Sequence, residues 1–107
     1  MALTDVQLKA AKRAIKRITE LRPDLRRDLE YQIKGETVEI SSMRSKRRIP
    51  VAKATFFKSD RTWKVLWYGK DREWHTYSPQ PHVASIDEFV LLITRNFRHW
   101  ADSAAAT

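Results

Sequence analysis

The chain contains 107 residues, carries a formal net charge of +8 and has no cysteine. Without cysteine it forms no disulfides, thiolate metal sites or iron–sulfur clusters, and its two glycines are too few for a glycine-rich phosphate-binding loop. The length predicts a single domain over residues 1–100, and a hydrophobic share of 42% predicts that this domain folds.

The N-terminal segment has the pattern of an amphipathic helix. Thr4 or Asp5 can cap this helix, and apolar residues then recur at helical spacing from Leu8 onwards. Pro23 disfavours helix in the residue before it, so we expect the helix to end at Arg22. The opposite arc carries five cations, Lys9, Lys12, Arg13, Lys16 and Arg17. A solvated helix face explains this pattern, and a surface lying along phosphates is the alternative.

Five strands are predicted in the middle of the chain. Residues 29–33 and 37–40 form a hairpin around Gly35, with Ile33 opposite Val38. Three further strands are predicted at residues 51–58, 62–68 and 72–77, separated by polar turns. Between the hairpin and these strands, residues 43–49 are predicted to be a loop or irregular crossing. It carries four cations, Arg44, Lys46, Arg47 and Arg48.

A second helix is predicted at the C-terminal end. Ser85 and Glu88 have the spacing of a capping box, and apolar residues follow at helical spacing through Phe97. Residues 101–107 are predicted to be a disordered tail. Because two helices with apolar stripes must cover the same sheet face, the expected fold class is α+β. It is an antiparallel β-meander of about five strands, with an N-terminal and a C-terminal helix packed on one face.

Strand alternation divides the side chains of this sheet between a core face and an open face. We expect Trp63, Trp67 and Trp74 on the core face, beneath the helices. The open face then mixes cations with aromatic and polar groups: Lys53, Thr55, Phe57, Lys64, Leu66, Tyr68, Glu73, His75 and Tyr77. An ordinary solvated sheet explains this mixture, and a surface contacting phosphates and bases is the alternative.

Positive charge is concentrated in two parts of the chain. Residues 1–27 carry eight basic and three acidic side chains, and residues 44–72 carry ten and two. We therefore predict a small non-catalytic module that binds DNA or RNA through the open sheet face and the basic crossing. The predicted binding residues are Arg44, Lys46, Arg47, Arg48, Lys53, Arg61, Lys64, Tyr68, His75 and Tyr77.

Two other functions stay open. The same surface suits a protein-interaction module that docks as a small regulator or inhibitor on an acidic partner, because interface hot spots favour aromatic residues and arginine. Copies of the chain can also associate through an exposed edge strand, as a homo-oligomer. A small metal-independent ribonuclease would use Glu73, His75 and Tyr77 together with an arginine or lysine. The three histidines lack metal-ligand spacing, so neither a metal nor a cofactor is predicted.

The sequence contains no apolar run long enough to span a bilayer, and charged residues interrupt the N-terminal segment in a way that signal peptides do not show. We therefore expect a cytoplasmic protein that makes no contact with a membrane.

Three short motifs lie between residues 50 and 89. They are Val51-Ala-Lys53, Trp63-Lys-Val-Leu-Trp67 and Trp74-His-Thr-Tyr77, and prolines and an acidic helix start follow them. This pattern resembles the small bacterial family called domain of unknown function 3024. Residues 25–35 are also similar, so the resemblance covers roughly two-thirds of the chain. The basic first helix and the segment from Phe97 to Trp100 depart from it. The resemblance implies a single α+β fold and implies no activity.

Overall fold

The computed structural model describes residues 3–44 and 47–105. This part of the chain folds into an antiparallel sheet, with one helix before it and one after it in the sequence and a 3₁₀ turn at Pro23–Leu25. The elements are α1 Asp5–Leu21, β1 Leu29–Lys34, β2 Thr37–Arg44, β3 Arg47–Phe57, β4 Thr62–Tyr68, β5 Trp74–Thr76, β6 His82–Val83 and α2 Ile86–Ala105. The strands are hydrogen-bonded in the order β1-β2-β3-β4-β5. The short strand β6 pairs with the start of β4, on the same side of β4 as β5. The predicted α+β meander is confirmed.

Both helices pack on one face of the sheet, which we call the inner face. At the start of α1, the Thr4 hydroxyl accepts from the Gln7 N–H, and the Gln7 side chain accepts from the Thr4 N–H. This capping box satisfies two backbone donors that the first turn leaves free. The helices and inner-face residues share one apolar cluster, whose most buried members include Ile18, Ile40, Val65, Phe89, Ile93 and Phe97. The helix α2 runs to Ala105, into the segment where the sequence predicts a tail.

The first hairpin has the predicted register. Ile33 pairs with Val38, and Gly35 in the turn adopts a φ of 56°. This left-handed conformation costs glycine nothing, so the turn chemistry and the apolar alternation specify the same pairing.

The predicted loop at residues 43–49 is wrong where the structure describes it. The strand β2 continues to Arg44, β3 already begins at Arg47, and Met43 pairs with Arg48. Backbone hydrogen bonds extend the ladder here without the apolar side chains on which the prediction relied. Lys46, which was predicted to bind, lies outside the described residues, as does the side chain of Arg44.

A β-bulge interrupts the pairing of β2 with β3. The register shifts between Ile40 and Ser41, so that Ile40 pairs with Ala52 and Ser41 pairs with Pro50. The extra residue, Val51, is fully buried. A bulge also accommodates the missing N–H of Pro50, which a regular central strand would not.

The hairpin between β4 and β5 has a three-residue loop, residues 70–72. The Gly69 N–H donates to the Glu73 carbonyl at 2.9 Å, and the Arg72 N–H donates to the Gly69 carbonyl at 3.0 Å. Arg72 has a φ of 65°, the left-handed conformation that ends a three-residue hairpin loop. The loop therefore contains an odd number of residues, and this number decides which side chains of β5 face outward.

The predicted face assignment of β5 is wrong as a consequence. Tyr68 pairs with Trp74, and Trp67 pairs with His75. Trp74 thus lies on the open face with Tyr68, whereas His75 lies on the inner face with Trp67. Tyr77 follows His75 to the inner face, where it packs against the apolar cluster.

Candidate nucleic-acid interface

The open face of β3, β4 and β5 carries a compact group of aromatic and basic side chains. Lys53 pairs with Leu66 across β3 and β4, and Lys64 pairs with Thr55 one step further along. We call six residues of this face the platform: Lys53, Phe57, Lys64, Leu66, Tyr68 and Trp74. None of them belongs to the apolar cluster under the helices as far as the structure describes the chain.

Trp74 is the centre of the platform. The Lys53 Nζ atom lies 4.3 Å from the centroid of the Trp74 ring, within the range of a cation–π contact. The Tyr68 ring meets Trp74 edge-on, with 5.1 Å between ring centroids. Trp74 is half-buried, so Tyr68 supports the indole and part of the ring stays accessible. The arrangement holds an ammonium group over the face of an aromatic ring.

The rest of the platform extends toward the hairpin between β3 and β4. The Phe57 side chain is 41% exposed, which is high for a phenylalanine in a sheet. Arg61 lies at the tip of this hairpin, is exposed and adopts a φ of 54°. Asp60 stabilises the turn, because its carboxylate accepts from the Thr62 N–H at 3.2 Å and from the Thr62 hydroxyl at 2.7 Å. The hydroxyl bond is the main cause of a lowered Asp60 pKa.

Arg48 stands apart from the platform and is already paired. Its Nη2 atom donates to Glu30 Oε2 at 2.7 Å, and both side chains are on the open face near the end of the sheet. Lys53 follows Arg48 by five positions along β3, which corresponds to roughly 16 Å of strand. Glu39 also pairs with Lys53 across β2 and β3. Glu30 and Glu39 therefore offset part of the positive charge that Arg48 and Lys53 bring to the open face.

The cations of α1 do not join the platform. Ala14 and Ile18 of α1 are buried in the apolar cluster that the helices share with the inner face, so the opposite arc of the helix points away from that cluster. Its five cations, Lys9, Lys12, Arg13, Lys16 and Arg17, are all exposed. The cations of α1 and those of the platform thus lie on different sides of the molecule.

His75 has a different environment from the one predicted. Its Nε2 atom lies 2.9 Å and 2.8 Å from the two carboxylate oxygens of Asp71. The partner is thus Asp71 rather than Glu73, although Glu73 and His75 do share the inner face. The hydrogen bond with His75 is the largest of the influences that lower the Asp71 pKa below its ordinary value.

Trp74 is the platform residue that the sequence prediction missed. A four-residue turn, which the sequence predicts between β4 and β5, would place Trp74 on the same side as Trp67, in the core. The feature that places Trp74 on the open face is the length of the loop before β5, which is three residues. Asp71 accepts from the Glu73 N–H at 3.2 Å, an Asx-type turn that fits a three-residue loop.

Comparison with family models settles the relationship of this chain to other proteins. A model described as "Domain of unknown function (DUF3024)" matches residues 2–100. The chain belongs to the DUF3024 family. The match includes α1 and Trp100. The basic first helix and the segment from Phe97 to Trp100, which depart from the resemblance seen in the sequence, therefore lie within the DUF3024 domain. Searches of curated proteins and of solved structures found no match.

Two features are absent from the part of this DUF3024 chain that the structure describes. Among residues 3–44 and 47–105, no group of three or more histidine, aspartate or glutamate side chains is arranged to hold a metal ion. Neither helix in the described part of the chain combines the length and the apolarity needed to cross a membrane.

Proposed function

We propose that this protein is a nucleic-acid-binding module whose platform takes single-stranded DNA or RNA. The observation that carries the proposal is the contact of Lys53 with the half-exposed ring of Trp74, supported edge-on by Tyr68. Base stacking on aromatic rings together with phosphate contacts from lysine is the usual chemistry of single-strand binding on a sheet.

The platform favours unpaired bases over a duplex. An aromatic ring in a sheet stacks on the face of a base, and duplex bases hide their faces in the helical stack. A base that stacks on Trp74 displaces the Lys53 ammonium from the indole. That ammonium is then available to the phosphate of the same nucleotide. Lys64 and Arg61 extend the positive charge toward the β3–β4 hairpin, along the direction in which a strand would continue.

The proposal predicts that the platform lysines cause a measurable part of the salt dependence of binding. For single strands, the logarithm of the association constant falls by about 0.7 per tenfold increase in salt for each phosphate neutralised. Replacing both Lys53 and Lys64 with alanine should therefore reduce this slope by about 1.4. Binding of a fluorescein-labelled oligouridine, followed by anisotropy between about 50 and 200 mM salt, measures the slope.

A matched double variant separates the platform from net charge. Lys9→Ala with Lys16→Ala removes the same charge from the exposed arc of α1 and should leave the slope close to the wild-type value. A duplex of the same length should bind more weakly than the single strand. Absence of binding at the lower salt concentration, or an equal loss of slope in both double variants, would contradict the proposal.

A further inference from the structure

A second concave site lies on the inner face of the sheet, near the β5 edge. The platform is on the opposite face. The cavity has a volume of about 450 Å³, within the range of pockets that hold small molecules. It lies between β5, the loop that follows β5 and the last described turns of α2. Its lining comprises Trp67, His75, Thr76, Tyr77, Ser78, Pro79, His99 and Trp100.

The hairpin loop makes room for His75 and fixes its orientation. A Cβ atom on Gly69 would lie 2.9 Å from the Cδ2 and Nε2 atoms of His75 and 2.6 Å from Asp71 Oδ1. Glycine is therefore the residue that lets the imidazole and the carboxylate pack over the backbone. Asp71 contacts Nε2 of His75. The other ring nitrogen, Nδ1, lies on the side of the imidazole away from Gly69, because Gly69 is close to Cδ2 and Nε2. Nδ1 is therefore the imidazole nitrogen through which His75 would bind a ligand in the cavity.

Aromatic rings form much of the cavity wall. Trp67 and His75 have ring centroids 5.1 Å apart, and Tyr77 meets Trp100 edge-on at 5.3 Å. His75 is 39% exposed in spite of these contacts, so its imidazole is accessible. Ser78 adds a hydroxyl. The cavity combines stacking surfaces with several hydrogen-bonding groups of both donor and acceptor character.

We propose that this cavity binds the heteroaromatic base of a nucleoside or nucleotide. Such a base offers a flat ring to Trp67 and Tyr77, which are both partly exposed, and donors and acceptors on its edge to His75 and Ser78. A purely apolar ring would leave the polar groups unpaired, at a cost in affinity. A quaternary ammonium ion would stack on the rings but could accept nothing from the imidazole or the hydroxyls. The site is separate from the platform and does not require the platform to bind nucleic acid.

Titration with free ligands tests this site directly. Adenosine 5′-monophosphate and uridine 5′-monophosphate are added to the full-length protein, with NMR signals of His75, Trp67 and Trp100 as the readout. We expect saturable shifts with a dissociation constant of about 1 mM or lower for at least one nucleotide. Ribose 5-phosphate and tetramethylammonium should produce no saturation. Equal binding of ribose 5-phosphate, or no saturation with either nucleotide, would overturn the proposal.

Two variants locate the binding. His75→Ala removes the imidazole and Gly69→Ala displaces it, so each should weaken nucleotide binding about tenfold. Because His75 is partly exposed, His75→Ala should fold, and far-UV circular dichroism checks this. Tyr31→Ala lies on β1, at the other edge of the sheet from β5, and should leave nucleotide binding unchanged. Normal nucleotide binding by folded His75→Ala would overturn the inference about the cavity while leaving the platform untouched.

Binding of oligouridine to His75→Ala then identifies the source of the base. A loss of strand affinity supports a base that comes from a strand held on the platform. Unchanged strand affinity, with loss of nucleotide binding, supports a free nucleotide as the ligand.

Discussion

Replacing Trp74 with alanine is expected to weaken the binding of single-stranded oligouridine by about 5-fold to 150-fold. The estimate follows from a stacking contribution of about 1–3 kcal/mol per base on an aromatic ring. Trp74 is the ring on which the platform depends, because Lys53 and Tyr68 both contact it. Fluorescence anisotropy at low salt measures the loss.

Two comparisons make the Trp74 result specific. Trp74→Phe keeps a flat ring on the same strand and should retain most of the affinity. Tyr31→Ala removes another exposed aromatic side chain, on the inner face of the edge strand β1, and should have little effect. If Trp74→Ala and Tyr31→Ala bind as tightly as the wild type, base stacking on the open face is not how this protein holds a strand.

Phe97→Ala should destabilise the fold by about 3–5 kcal/mol. Phe97 is 1% exposed and lies where α2 covers the inner face, so truncation leaves a cavity that rigid neighbours cannot fill. Since domains of this size have a total stability of about 5–15 kcal/mol, the variant should unfold at a much lower urea concentration. Urea unfolding followed by circular dichroism gives the difference.

A surface variant provides the reference for this stability measurement. Val6 on α1 is 79% exposed, and Val6→Ala should change the free energy of unfolding by no more than about 0.5 kcal/mol. Similar midpoints for Phe97→Ala and Val6→Ala would mean that α2 does not pack against the sheet as described.

Local patterns were sufficient to predict the elements in which side-chain period and turn chemistry agree. The capping residue Thr4, the arc of α1 that contains Ile18, and the pairing of Ile33 with Val38 all follow from spacing along a few residues. Each of these features depends on residues that are close together in the sequence, and the tertiary packing agrees with them. The long pairing of β2 with β3 is different, because backbone hydrogen bonds to a neighbouring strand keep a basic segment extended.

The candidate site depended on a feature that the sequence expresses weakly. The length of the loop before β5 decides whether Trp74 or His75 lies on the open face, because a change of one residue exchanges the two faces. The three-residue loop ends at Arg72 in the left-handed conformation, and arginine does not indicate a positive φ as glycine or asparagine would. The separation of the α1 cations from Lys53 likewise results from three-dimensional packing, which charge counts along the chain do not contain.

The most direct test of the open face as the binding surface uses the indole N–H signals of the four tryptophans. Trp74 lies on the open face, whereas Trp63 is 5% exposed and belongs to the cluster beneath the helices. During titration with oligouridine at low salt, the Trp74 signal should move progressively to saturation, and the Trp63 signal should stay in place. Saturable oligouridine binding that leaves the Trp74 signal unmoved would contradict the account.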